Sequence, residues 1–167
     1  VVVFYNNYRD SLGVVPTMYN TSHLFVALRP GGKSRALSRG LLDSLRQKIV
    51  GGEDFALLAS QFSQDPGSAR NGGELGFVGR GTFVPAFERV AYALSPGEIS
   101  GLVETEFGYH IIEALEVLGD KINVRHILIA PAFSSADEDS VYAFASLVRD
   151  SIKTEEDFSR LVKKHSD

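Results

Sequence analysis

Two histidines, His23 and His110, lie in short apolar runs toward opposite ends of the first two thirds of the chain. If both runs are neighbouring strands, the alternation of side chains brings the two imidazoles within hydrogen-bond reach, one nitrogen donating and the other accepting. The plain alternative is a buried polar pair that fixes sheet register. A zinc site takes three or four imidazole, thiolate or carboxylate ligands; two lone histidines in a chain without cysteine do not supply them. Asp65 can act as an acid, a base or a hydrogen-bond acceptor, or serve simply as a turn aspartate. Phe83, Phe87 and Phe107 read singly as core residues, yet together, at the rim of a glycine-rich loop, they can line an apolar pocket.

Other chemistries find no support in the motifs. Gly76, Gly79 and Gly81 lack the Gly-x-Gly-x-x-Gly spacing between strand and helix that cradles a dinucleotide, and no Ser occupies a Gly-x-Ser-x-Gly elbow. The sequence therefore points to no metal and no cofactor. Its 17 basic and 21 acidic residues give a formal charge of -4, without the clustered Lys and Arg that nucleic acid or anionic lipid requires. No apolar run approaches the roughly 20 residues that cross a bilayer. The chain opens on Val1-Val2-Val3-Phe4 rather than on Met, and reads as a piece of something longer.

The elements that must position these residues emerge from an internal repeat. At an offset of 103, His23-Leu24-Phe25-Val26 aligns with His126-Ile127-Leu128-Ile129, Asp54-Phe55 with Asp157-Phe158, Leu58 with Leu161, and Ser63 with Ser166, without a gap. The chain thus holds one whole copy and under half of another. In the whole copy, residues 22–28 read as a strand that puts His23, Phe25 and Ala27 on one face. Leu37, Leu41, Leu45 and Ile49 form the stripe of an amphipathic helix over residues 34–50, stopped by Gly51-Gly52. Asp54 caps a second helix over residues 55–63. A loop spans residues 64–81, broken by a brief strand at 75–78; Pro85 opens a short helix to residue 93; residues 99–104 and 109–117 form a closing hairpin. The order β-ααβ-α-ββ implies an α+β domain in which helices wrap a small antiparallel sheet of four strands. Residues 4–12 read as the end of a preceding helix and 13–19 as a connector.

Taken together, His23-Leu24-Phe25-Val26, the run from Phe55 to Ser63, Gly72-Gly73-Glu74-Leu75-Gly76, Pro85-Ala86-Phe87-Glu88, Gly97-Glu98-Ile99-Ser100 and Phe107-Gly108-Tyr109-His110-Ile111-Ile112 resemble the parvulin family of peptidyl-prolyl cis-trans isomerases, with its FKBP-like fold. The match spans residues 21–119 as a complete domain. Residues 1–20 precede it, and 120–167 are the truncated start of a second domain, an arrangement similar to the tandem of SurA-type periplasmic chaperones. The resemblance implies a proline pocket of Leu75, Phe83 and Phe87, with Phe107 at its edge. It implies a catalytic group of His23, Asp65, Thr105 and His110. It also implies proline-containing or unfolded polypeptide partners and a place in the bacterial periplasm or cell envelope. Arg29, Lys33 and Arg35 sit near the basic cluster of phosphate-selective members, or form a solvated loop. The competing functional class is a client-binding module without useful catalysis. The stripe Val141, Phe144, Val148 and Ile152 in the partial copy needs cover, which makes self-association through that copy an expectation.

Overall fold

The computed structural model describes Val3, Tyr19 and residues 21–167, so the expected helix end and connector before residue 19 lie outside the described residues. Its elements are α1 (Gly32–Val50), α2 (Phe55–Phe62), a 3-10 turn (Ala69–Asn71), β1 (Glu74–Val78), α3 (Pro85–Ala91), β2 (Val103–Thr105), β3 (Gly108–Leu118), β4 (Lys121–Ile129), α4 (Ser135–Ser151) and α5 (Glu155–His165). The residues divide into two compact units, Leu28–Ser146 and a smaller one of Val1–Ala27 with Leu147–Asp167.

The larger unit is α+β. Its four strands are antiparallel in the order β1-β4-β3-β2. β3 and β4 carry near-continuous apolar runs because both faces of the sheet are covered. On one face Tyr109, Ile111, Ile127 and Ile129 pack with Leu42, Leu45 and Ile49 of α1 and Phe55, Leu58 and Ala59 of α2. On the other, Ile112, Ala114, Ile122 and Val124 pack with Phe87 and Ala91 of α3. Residues of even number along β3 and β4 thus share the second face, and His110 and His126 belong to that set. The local signals hold well. Asp54 accepts the Leu57 N–H at 2.7 Å and caps α2; Pro85 sits in the first turn of α3.

One expected element is replaced. Residues 22–28 form no strand, and the place beside β3 is held by β4, whose second half is their repeat counterpart. The β3–β4 connection is the two-residue turn Gly119-Asp120 between the paired Leu118 and Lys121, with Gly119 at φ +60 as a tight hairpin favours. Ile122 and Val124 are fully buried where the first copy has Tyr19 and Thr21, which would carry hydroxyls into an apolar cluster. Arg125, paired with Glu113 at 2.7 Å, stands where the first copy has Ser22. Each difference favours the second copy's strand.

The smaller unit contains the end of α4, helix α5 and residues 21–27, which form neither helix nor strand. Thr154 caps α5 by accepting the Asp157 N–H. Acidic Glu155, Glu156 and Asp157 lie in its first turn and Lys163, Lys164 and His165 in its last, the distribution that complements the helix dipole.

Candidate functional site

Asp65 follows α2 at the head of Asp65-Pro66-Gly67-Ser68, and its carboxylate turns back on the chain by accepting the N–H groups of Gly67 (3.3 Å) and Ser68 (3.1 Å). Such an Asx turn fixes a carboxylate without any long-range contact. The buried Ser68 hydroxyl adds a further hydrogen bond to Asp65. His126 Nε2 lies 3.0 Å from Asp65 Oδ2 and 3.0 Å from Ser68 Oγ. The chain of contacts continues from His126 Nδ1 to His110 Nδ1 at 3.2 Å, and from His110 Nε2 to Thr105 Oγ1 at 2.7 Å. Thr105 in turn accepts the Phe107 N–H at 3.1 Å.

The proton positions follow from the two ends. Burial pushes the Asp65 carboxyl up, but the bonds from Ser68, His126 and Gly67 together outweigh it and hold the group below the usual carboxylate range. Burial pushes both imidazoles down. His110, only 4% exposed and facing a second imidazole, falls to about 4, with the Asp65 charge opposing; for His126 the bond to Asp65 opposes the same desolvation. Near neutral pH the group therefore holds one anion and two neutral rings. An ionised Asp65 can only accept, so His126 donates from Nε2 and accepts at Nδ1, His110 donates from Nδ1, and the Thr105 hydroxyl donates to His110 Nε2. Every polar atom in the row has a partner.

Apolar side chains stand against this row. The Phe87 ring meets both imidazoles edge-on, at centroid distances of 5.3 Å from His110 and 5.5 Å from His126, while the two imidazoles stack at 5.4 Å. Phe83 packs on Phe87 at 4.8 Å, and Leu75 joins the same cluster from a register shift in β1. Gly73 sets how closely the loop approaches β4: at φ +82 its carbonyl accepts the His126 N–H at 2.9 Å, and a Cβ there would lie 2.2 Å from the His126 carbonyl oxygen.

The structure thus brings together Asp65, Thr105, His110, Leu75, Phe83 and Phe87. Phe107 stands apart, 58% exposed, where it and Thr105 line a cleft of about 440 Å³ with Arg29, Arg35 and Phe133. Phe83 also lines a second cleft of about 610 Å³ with Arg80, Tyr92 and Pro85. The expected role of His23 requires correction: His23 is exposed and outside the cluster, and His126 holds the place beside His110. The cause is the strand replacement, since whichever copy's strand pairs with β3 carries its own histidine. The repeat offset links the two residues directly, so the signal was present. Ser68 was missed, although its position three residues after Asp65 in a turn sequence is the signal that finds it. Among the described residues no cluster of His, Cys, Asp and Glu is arranged to hold a metal ion, and no helix is long and apolar enough to cross a membrane.

Residues 23–116 match the family model for the rotamase, or PPIC-type PPIase, domain. A foldase protein PrsA of Geobacillus sp. is 51% identical over 74 residues, covering 44% of this chain and 27% of that protein. A chaperone SurA of Chromohalobacter salexigens is 42% identical over 99 residues, covering 59% and 22%. The chain spans about a quarter of the length of these relatives. Among solved structures, a peptidylprolyl isomerase (PrsA) from Bacillus cereus is 28% identical with a TM-score of 0.42, covering 76% of this chain and 39% of that one.

Proposed function

Since the chain belongs to the PPIC-type peptidyl-prolyl isomerase family, we propose that its larger unit catalyses cis–trans isomerisation of prolyl peptide bonds in polypeptides that are still folding. The observation that carries this reading is the Phe87 ring, set edge-on against both imidazoles of a row that starts at an anionic Asp65. It puts an apolar wall beside a fixed charge. The barrier to be lowered, about 18–20 kcal/mol, comes from amide resonance that is lost as the C–N bond twists. No covalent step is needed. A dry wall of Leu75, Phe83 and Phe87 favours the twisted prolyl ring, because a twisted amide is less polar than the planar one and loses less when water is excluded. Asp65 acts electrostatically near the substrate carbonyl. Ser68, His126, His110 and Thr105 hold it in place, with both imidazoles neutral and therefore poor proton donors at neutral pH.

Residues 21–119 as one copy of the domain and 120–167 as the start of a second belong to the same reading, with β4 of the second copy completing the first copy's sheet, as do placement in the periplasm or cell envelope and the edge role of Phe107. Self-association through the second copy belongs to this reading as well, and light scattering of the chain tests it.

The central test is NMR exchange spectroscopy on an Ala-Leu-Pro-Phe peptide with catalytic amounts of the chain. Faster exchange is expected. Asp65→Ala lowers it about tenfold or more, the worth of one charge-assisted interaction, with an unchanged amide spectrum away from the site. No acceleration by folded wild-type chain overturns catalysis and leaves a client-binding module. Ser-Pro peptides with and without phosphate, run alongside, decide whether the cleft carrying Arg29 and Arg35 selects phosphate.

A further inference from the structure

We propose that the two copies of the repeat exchange their first strands. β4, from the second copy, completes the sheet of the first and brings His126 to its site; residues 22–27, from the first copy, dock on the second copy's helix α5, which places His23 where His126 stands in the first.

Two junctions carry the inference, one in each unit. After α2, Ser63 Oγ accepts the Leu128 N–H at 3.1 Å, the Gln64 N–H donates to the Leu128 carbonyl at 2.8 Å, and Gln64 Oε1 accepts the Ala130 N–H at 2.7 Å. After α5, Ser166 Oγ accepts the Phe25 N–H at 3.2 Å, the Asp167 N–H donates to the Phe25 carbonyl at 3.0 Å, and Asp167 Oδ2 accepts the Ala27 N–H at 2.8 Å. Every residue of the second set is the counterpart of one in the first at the same offset of 103. A helix of the first copy grips a strand of the second, and a helix of the second grips the matching stretch of the first by the same three atoms. Neither junction involves a residue of its own copy's first strand. An accidental contact would not reproduce donor, acceptor and order. The residue change is also conservative in the needed sense, because Asp167 and Gln64 both present a side-chain oxygen acceptor.

The exchange has a physical cause in the sequence. β4 offers Ile122, Val124 and Arg125 to the first copy's sheet where residues 19–22 offer Tyr19, Thr21 and Ser22, and it arrives through a two-residue turn. Closing a short hairpin forfeits less chain entropy than closing the long loop that separates residue 28 from β3. With its place taken, the first copy's segment is left to the helix end of the second copy, which carries the same receptor atoms. Each copy then depends on the other to be complete, which couples the folding of two domains that the repeat alone describes as separate.

Amide hydrogen exchange followed by NMR on the whole chain tests this directly. Ser63→Ala is expected to speed exchange at Leu128 by roughly fivefold, the worth of one hydrogen bond, and to leave Phe25 unaffected; Ser166→Ala is expected to do the reverse. Faster exchange at Phe25 in Ser63→Ala would overturn the proposal. Because the chain has no cysteine, a second measurement is clean: under mild oxidation E113C with R125C closes a disulfide within one chain, and E113C with S22C does not. A disulfide from the second pair in comparable yield, or a first-pair disulfide that joins two chains, would also sink it.

Discussion

Residues 22–26 and 125–129 are two versions of one strand sequence, and they end differently: the later one is a buried central strand between β1 and β3, the earlier one a segment outside any strand with His23 and Phe25 exposed. Both have the alternation of a half-buried strand, and both have their backbone groups accepted by a helix end. What separates them lies outside the shared residues, in the flanking Ile122, Val124 and Arg125 and in the hairpin turn before them. Strand pattern made both eligible. Neighbours chose one.

The largest effect that can break this comparison comes from the cores. Ile127 is fully buried against α1 and α2, so Ile127→Ala is expected to cost about 3–4 kcal/mol in urea denaturation. Its counterpart Leu24, half-buried in the smaller unit, is expected to cost under about 1 kcal/mol when made Ala. Equal costs, or the reverse order, would return the first strand to the first copy.

Acid titration comes next. The folded pKa values of His110 and His126 lie below the unfolded value near 6.5, so the unfolded chain binds more protons in that window. Their stabilisation is fully present above pH 6.5 and is lost as pH falls toward 4; Asp65, also depressed, contributes a further loss below its unfolded value of about 3.8. The loss for His110 is on the order of 2–3 kcal/mol, read as a fall in unfolding midpoint between pH 7 and pH 4.5. His126→Phe is expected to flatten that fall. A slope unchanged in His126→Phe would contradict the placement of the second imidazole.

The smallest effect sharpens the strand choice itself. Arg125 pairs with Glu113 and also lies over the Phe55 ring at 4.7 Å from its centroid. Arg125→Ser, which makes the second strand resemble the first at that position, is expected to destabilise by about 1 kcal/mol. Adding Ser22→Arg is expected to recover none of it. Recovery would show residue 22 facing Glu113.

Much of the fold was legible because its signals are local. The helical spacing of α1, the Asp54 cap, Pro85 and the glycine-rich loop each act within a turn or two of chain, and the elements they predict are present with ends displaced by a few residues, although in α1 only Leu45 and Ile49 of the expected stripe are buried, with Leu37 and Leu41 exposed and Leu42 in the core. The same holds for the site. Asp65, Phe87, Thr105 and His110 were found as residue types in family order, and Asp65 owes much of its orientation to its own turn. Ser68 was hidden because a buried serine in a polar loop looks like any other loop serine until its hydroxyl is seen on the carboxylate.

Local sequence signals dictate an α+β domain with a sheet, its covering helices, an apolar wall, an aspartate turn and a histidine strand beside His110, and the repeat supplies that strand twice. That His126 and not His23 stands beside His110 is settled by long-range packing. Period-2 patterning specifies which face of a strand is buried but not which partner it meets. That choice rests on the charge of Glu113 across the sheet, the apolar volume beneath Ile122 and Val124, and the short closure at Gly119-Asp120, all of which act only once β3 is in place.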